Sequence, residues 1–313
     1  DYQWQKNIEK YKLRITSGTT NEKVNANSDL FSGKTYKITN SLYTQLDKKW
    51  NRFNISLGAR YESFNLHSED KYWIDGDSIN DITAGKPVFR TGLNYQLAEA
   101  TYIRTSWGQG YRFPSMAELF IRTTQSGLEI YPNPNLKPES GWSSEIGIKQ
   151  GLKIGNWMGY IDLAAFLMQY DDMMEFSFGP WGDPTTDELF GIGFKSINVG
   201  KTQISGIELS LNGQGKITKD FSINFMGGYS YMHSISLTPD ETYALLEREI
   251  LIDGEVLNSL TYKNNSSDPS VLKYRYKHIA KIDVEMIYKG ISLGGGFRYN
   301  DFMRNIDKIF TEE

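Results

Sequence analysis

Apolar and polar residues alternate with period two along most of the chain. This is the repeat of a β-strand with one apolar and one polar face. In the clearest run Phe53, Ile55, Leu57, Ala59 and Tyr61 fall on one face, and Asn54, Ser56, Gly58, Arg60 and Glu62 on the other. Tyr11, Leu13 and Ile15 likewise oppose Lys12, Arg14 and Thr16, and Tyr36, Ile38 and Leu42 oppose Lys37, Thr39 and Ser41. Phe89, Thr91, Leu93 and Tyr95 oppose Arg90, Gly92, Asn94 and Gln96. The alternation resumes over 101–109, 142–149, 157–170, 196–212, 221–232, 279–288 and 291–300. It predicts about eleven strands.

The connections between these strands are short and long in strict turn. Short ones are expected at 47–49, 97–99, 153–156, 215–219 and 288–290, and long ones at 18–33, 66–85, 110–139, 173–195 and 236–276. In an up-and-down meander every second connection lies on the same edge, so all the long loops gather on one rim. Short turns on one side and long loops on the other are the pattern of an outer-membrane barrel. Trp157 sits near a short turn, and Trp107, Tyr61, Tyr229, Tyr231 and Tyr299 near the long-loop side, where interfacial aromatics belong. The predicted fold is all-β: a transmembrane antiparallel up-and-down barrel. An odd strand count predicts entry at the short-turn rim, exit in a long loop, and further strands in a longer protein.

Composition narrows the function. The 313 residues carry a net charge of −4 with both signs interspersed, so there is no basic footprint for nucleic acid. Cysteine is absent, which removes disulfides and thiolate metal sites. No run reaches the roughly 18 apolar residues of a membrane helix, a test to which barrel strands are blind. The sequence holds no His-Glu-x-x-His, Gly-x-Ser-x-Gly or phosphate-binding glycine loop, and too few histidines for a triad, so no enzyme is expected.

Two segments carry a family resemblance. The first runs from Tyr111-Arg112-Phe113-Pro114 to Asn133-Pro134-Asn135-Leu136-Lys137-Pro138-Glu139; the second is Phe194 to Glu208, with Asn198, Gly200, Gly206 and Glu208 in register. With a weaker echo at Ser56–Glu62, they resemble TonB-dependent outer-membrane receptors. The resemblance implies a barrel of about 22 strands around an N-terminal plug, of which this chain would be a C-terminal part lacking the plug, the early strands and the last strands. It implies active import of a scarce, bulky ligand, of ferric siderophore or cobalamin type, with energy passed on by TonB. Expected partners are the TonB complex, the receptor's own plug, outer-membrane lipid, a small metal chelate and a surface lipoprotein. A passive porin, a glycan importer of the same superfamily and a soluble β-rich module are the competing readings. Haem receptors of the family carry a histidine between the two halves of the first segment; Ser115 to Pro132 contain none, which counts against haem.

Candidate site residues follow from the faces and loops. Tyr72, Trp73, Tyr111, Arg112, Tyr131, Trp181 and Tyr243 are expected in the outer loops as ligand contacts, or as packing between loops. Arg60, Glu62, Arg104, Glu145 and Glu208 lie on the polar face and are expected to pair with one another or with the plug. No cofactor is required. Asp75, Asp77 and Asp81 form either a candidate Ca²⁺ site or a solvated acidic loop.

Overall fold

The computed structural model describes all residues except 29, 31–32, 75–76, 126, 253–254 and 312–313. In chain order the strands are β1 (Tyr2–Ile8), β2 (Leu13–Ser28), β3 (Gly33–Trp50), β4 (Phe53–Ile74), β5 (Asp77–Ala98) and β6 (Thr101–Arg112). A short helix α1 (Met116–Phe120) follows, then β7 (Thr123–Gln125), β8 (Leu128–Tyr131), β9 (Glu139–Ile154) and β10 (Asn156–Asp171). The remainder are β11 (Met174–Pro180), β12 (Ile192–Asn198), β13 (Thr202–Lys216), β14 (Phe221–Ser236), β15 (Thr242–Ile252), β16 (Glu255–Thr261), β17 (His278–Tyr288) and β18 (Ile291–Asn300).

Twelve of these strands form one antiparallel meander, β1-β2-β3-β4-β5-β6-β9-β10-β13-β14-β17-β18, with β1 and β18 as its edges. The register keeps each apolar row on one face. Leu46 pairs with Leu57, Leu57 with Thr91, and Thr91 with Trp107; further on, Ile148, Leu163, Leu209 and Tyr229 are linked in the same way. These outward side chains stand open: Leu57 is 50% and Phe297 60% exposed. In water such a face would be driven together with another sheet; a membrane-spanning wall leaves it open to lipid.

β1 is the wall strand that the alternation missed, because Gln3, Gln5, Lys6 and Asn7 leave Tyr2–Ile8 mostly polar; β7, β8, β11, β15 and β16 also lie where loops were expected. β1 reverses the expected entry point, since it now begins on the loop-bearing side and β18 ends there too. The loops expected at 18–33 and 66–85 are largely paired strand: β2 and β3 stay in register from Leu13↔Lys48 to Ser28↔Gly33, and β4 and β5 run up to Ile74↔Asp77. Above the membrane both faces of a hairpin are wet, so the alternation fades while the backbone ladder persists. The single strand expected over 196–212 is broken at 199–201, where Gly200 has φ 82° and the chain passes from one sheet to another.

The long connections fold into a cap. β11, β12, β8 and β7 make a four-stranded sheet, and β15 and β16 a separate hairpin. Among the described residues, two buried apolar clusters lie here, one of them where the cap meets the upper part of β4. One joins Phe64 and Leu66 of β4 to Leu119 and Phe120 of α1, Leu136 and Met174. The other joins Met173, Ile197, Val199, Tyr262 and Leu272. A single-layer wall has no water-free interior of its own, so only the cap can form a core.

Candidate functional site

The inner face of the wall is held by charge pairs. Arg14 donates to Asp47, which also accepts from Gln45 and Ser56, and Arg90 reaches Gln45. Arg60 pairs with Glu62 on its own strand. Arg104 bridges Glu145 of β9 (2.8 Å) and Asp162 of β10. The Arg14, Arg60 and Arg104 guanidinia thus serve carboxylates on their own strand or one or two strands away, and Arg90 an amide oxygen, the arrangement a polar wall needs. Glu208 is exposed on this face opposite Ala164 and Ser230, without an ion pair among the described residues. A cavity of about 790 Å³ lies here near the short turns, lined by Arg14, Asp47, Ser56, Asn94 and Arg104.

The two resemblance segments meet in the cap. The Asn198 side chain accepts from Lys137 N at 2.9 Å and donates to Lys137 O at 3.0 Å and Asp172 O at 2.8 Å. Asn133 donates to Ser196 O at 2.8 Å and accepts from Asn135 N at 3.2 Å. The motif asparagines therefore act as braces between loops, with their amides occupied by protein. Arg112 joins the same frame, pairing with Glu118 (2.8 Å) and Glu139 (3.1 Å). Ser115 and Glu118 close a capping box that starts α1. Although burial opposes it, hydrogen bonds from Ser115 and the Arg112 charge hold the Glu118 carboxyl below its ordinary value.

Against this frame lies a pocket of about 590 Å³, bounded by Asn135, Lys137, Trp181, Lys195, Glu241 and Tyr243 among others. Trp181 is fixed by its indole N–H donating to Ser177 O at 3.1 Å, with the Lys195 ammonium 5.7 Å from its ring. The Tyr243 hydroxyl accepts from Asn265 Nδ2 at 2.8 Å, and burial pushes its pKa up to about 12. The structure thus brings together two of the seven candidate ligand contacts. Tyr111 and Arg112 line a neighbouring cavity of about 310 Å³, where Tyr111 packs on Phe113 at 4.9 Å. Tyr131, expected as a ligand contact or as packing between loops, is only 5% exposed beneath the Arg122 guanidinium, which fits the packing role. Tyr72, Trp73 and Asp77 pair in the tips of β4 and β5, their side chains undescribed, and Asp75 is outside the described residues. Asp81 faces His67 Nδ1 at 2.9 Å.

Sequence reasoning missed the most deeply buried charges. Lys273 and Asp307 are inaccessible to solvent and lie 2.6 Å apart, Nζ to Oδ1, with Glu175 Oε1 2.9 Å from the same nitrogen. The Tyr262 ring lies 5.5 Å from the Lys273 nitrogen, and Asn265 Nδ2 stands 3.4 Å from Asp307 Oδ1. Burial opposes the Lys273 charge, but Glu175, Tyr243 and Asp307 outweigh it and raise its pKa; burial also pushes the Glu175 carboxyl up. Lys273 and Asp307 lie outside every motif, in segments without alternation, so no periodicity marks them.

The chain matches the TonB dependent receptor-like, beta-barrel family over residues 1–306. "Hemoglobin and hemoglobin-haptoglobin-binding protein A" of Haemophilus influenzae is 22% identical over 299 residues, covering 84% of this chain and 27% of that protein. The Vitamin B12 transporter BtuB of Vibrio vulnificus is 31% identical over 134 residues, 42% of this chain and 18% of that protein. Among solved structures, the Serratia marcescens hemophore receptor HasR, in complex with its hemophore HasA and heme, aligns at TM-score 0.67 and 16% identity. That alignment covers 95% of this chain and 50% of HasR. The chain thus spans about a quarter or less of these curated relatives and half of HasR. It belongs to the TonB-dependent receptor β-barrel family.

Proposed function

We propose that this chain is the loop-bearing part of an outer-membrane receptor that captures a bulky metal chelate, of ferric siderophore or cobalamin type. In this reading the chelate is imported with energy passed on by TonB. A plug upstream would occupy the polar inner face and its cavity, and Glu208 is a carboxylate open to it. The observation that carries the reading is the pocket of about 590 Å³ built between loops on the rim to which all the long connections run. Its aromatic walls, Trp181 and Tyr243, offer stacking surface, and Lys137, Lys195 and Glu241 offer charge.

Curated relatives are named for hemoglobin, for hemin and, in one case, for vitamin B12. The histidines support a cargo of the last kind. By register His67 shares a face with Leu57 and Tyr61, His233 with Tyr229 and Tyr231, and His278 with Ile282. That is the outward face, away from the lumen. Two of the three are also engaged, His67 with Asp81 and His278 with the Tyr229 hydroxyl at 2.8 Å. An imidazole placed there is poorly disposed to ligate an iron inside the receptor.

The test is growth of a strain lacking the full-length receptor on single iron or cobalamin sources. Loss of growth on one ferric chelate, or of cobalamin-dependent growth, with haem use intact is expected. A defect confined to haem would overturn the cargo assignment.

A further inference from the structure

The buried cluster of Lys273, Asp307 and Glu175 is more than a brace. Lys273 precedes β17, Asp307 follows β18 and Glu175 lies on β11, so three separate segments converge on one nitrogen. The Nζ–Oδ1 separation of 2.6 Å puts the Asp307 carboxyl carbon, one bond further on, near the roughly 3–3.5 Å of a near-attack pair. The other Asp307 oxygen, Oδ2, accepts from the Tyr274 hydroxyl at 2.7 Å and faces Phe178 N at 3.4 Å. Two donors aimed at that oxygen are what a tetrahedral intermediate requires. Asn265 Nδ2 and Ser177 Oγ each stand 3.4 Å from Oδ1.

We infer that Lys273 and Asp307 form an intramolecular isopeptide bond, with Glu175 as the proton carrier. In the resting ion pair the nitrogen is an ammonium. The carboxylates around it favour that charged form, so reaction starts from the minor state in which the proton has crossed the short hydrogen bond to Asp307, leaving a neutral amine and a neutral acid. Nζ then adds to Asp307 Cγ, forming the C–N bond, while charge gathers on Oδ2 under Tyr274 and Phe178. Glu175, 2.9 Å from Nζ, gives a proton to Oδ1 and takes one back from the nitrogen. The Cγ–Oδ1 bond breaks and one water leaves. An amine and an acid have become an amide and water, with no oxidant, reductant or further reactant. Glu175 is suited to the task because burial pushes its carboxyl pKa up, which favours the acid form that gives the first proton. The product ties both ends of the β17–β18 hairpin together beneath the cap.

Mass spectrometry of the full-length receptor purified from outer membranes decides the matter. The expected result is an intact mass one water below that of the sequence, and a branched tryptic peptide joining Lys273 to Asp307. Recovery of the two residues on separate linear peptides, in a protein of full mass, would overturn the bond. Glu175→Gln keeps the nucleophile and the acid and is expected to restore full mass in folded protein; a persisting deficit would remove Glu175 from the chemistry. Lys273→Arg, whose guanidinium stays charged, is also expected to restore full mass. A water deficit surviving there would place the dehydration elsewhere and refute the assignment.

Discussion

Replacing Leu57 with arginine separates a lipid-facing wall from a water-soluble sheet. On the outward row of β4, Phe53 and Tyr61 bracket Ile55, Leu57 and Ala59. That span matches the roughly 9–11 residues with which a tilted strand crosses the membrane core, and Leu57 stands at its middle. Its side chain is 50% exposed, beside Leu46 and Thr91 on the neighbouring strands. In water, a substitution at so open a position changes stability by about 0.5 kcal/mol or less. At the midplane of a bilayer, arginine on the lipid face costs about 2–4 kcal/mol. Ser56 is the internal control. It points inward and donates to Asp47 Oδ1 at 2.8 Å, so Ser56→Arg sets the new charge beside a carboxylate, at a cost of about 1 kcal/mol or less. The assay is urea unfolding of the full-length receptor in lipid bilayers, followed by tryptophan fluorescence and protease protection. Equal costs at the two positions, or a Leu57→Arg cost within about 0.5 kcal/mol of zero, would refute the assignment of faces.

Three further changes probe the wall and the cap. Arg104→Met strands Glu145 and Asp162 on the inner face; because the pairs are about a third exposed, the expected loss is about 1–2 kcal/mol in the same assay, below the cost of breaking a fully buried pair. Gly213→Val would drive a Cβ into the Trp157 ring, which lies against that glycine, so a red-shifted tryptophan emission and about 1–3 kcal/mol of destabilisation are expected; an unchanged spectrum would contradict the packing. Ser115→Ala removes the N-cap of α1 and is expected to cost about 1 kcal/mol, read as faster amide exchange at Leu119 and Ile121. Because the Glu118 pKa is lowered on folding, its contribution is complete at neutral pH, declines below the ordinary carboxylate range and is gone beneath the lowered value. Exchange protection of α1 that rises with acidification would be the wrong sign.

The wall was legible in the sequence because lipid on one side and a polar lumen on the other impose strict alternation. Leu57 beside Ser56 is such a pair. Where both faces are wet the rule fails: Tyr2–Ile8 and the upper parts of β2 and β3 are paired strands with little alternation. The cap was legible only through its motifs. Asn133 and Asn198 could be singled out, yet their work as braces appears only once Lys137 and Ser196 are seen beside them. Trp181 and Tyr243, 62 positions apart (243 − 181), share one pocket through loop packing that no spacing encodes. Lys273 and Asp307 were silent for the same reason, since burial of a charge is a property of the folded cap alone.

The proposed active import through this wall is tested most directly by uptake under a collapsed proton gradient. Cells carrying the full-length receptor are given its labelled chelate, with and without a protonophore. The account predicts saturable uptake that stops when the gradient is lost, while surface binding of the chelate persists. Uptake continuing at an undiminished rate without the gradient would contradict it and leave a passive channel in its place.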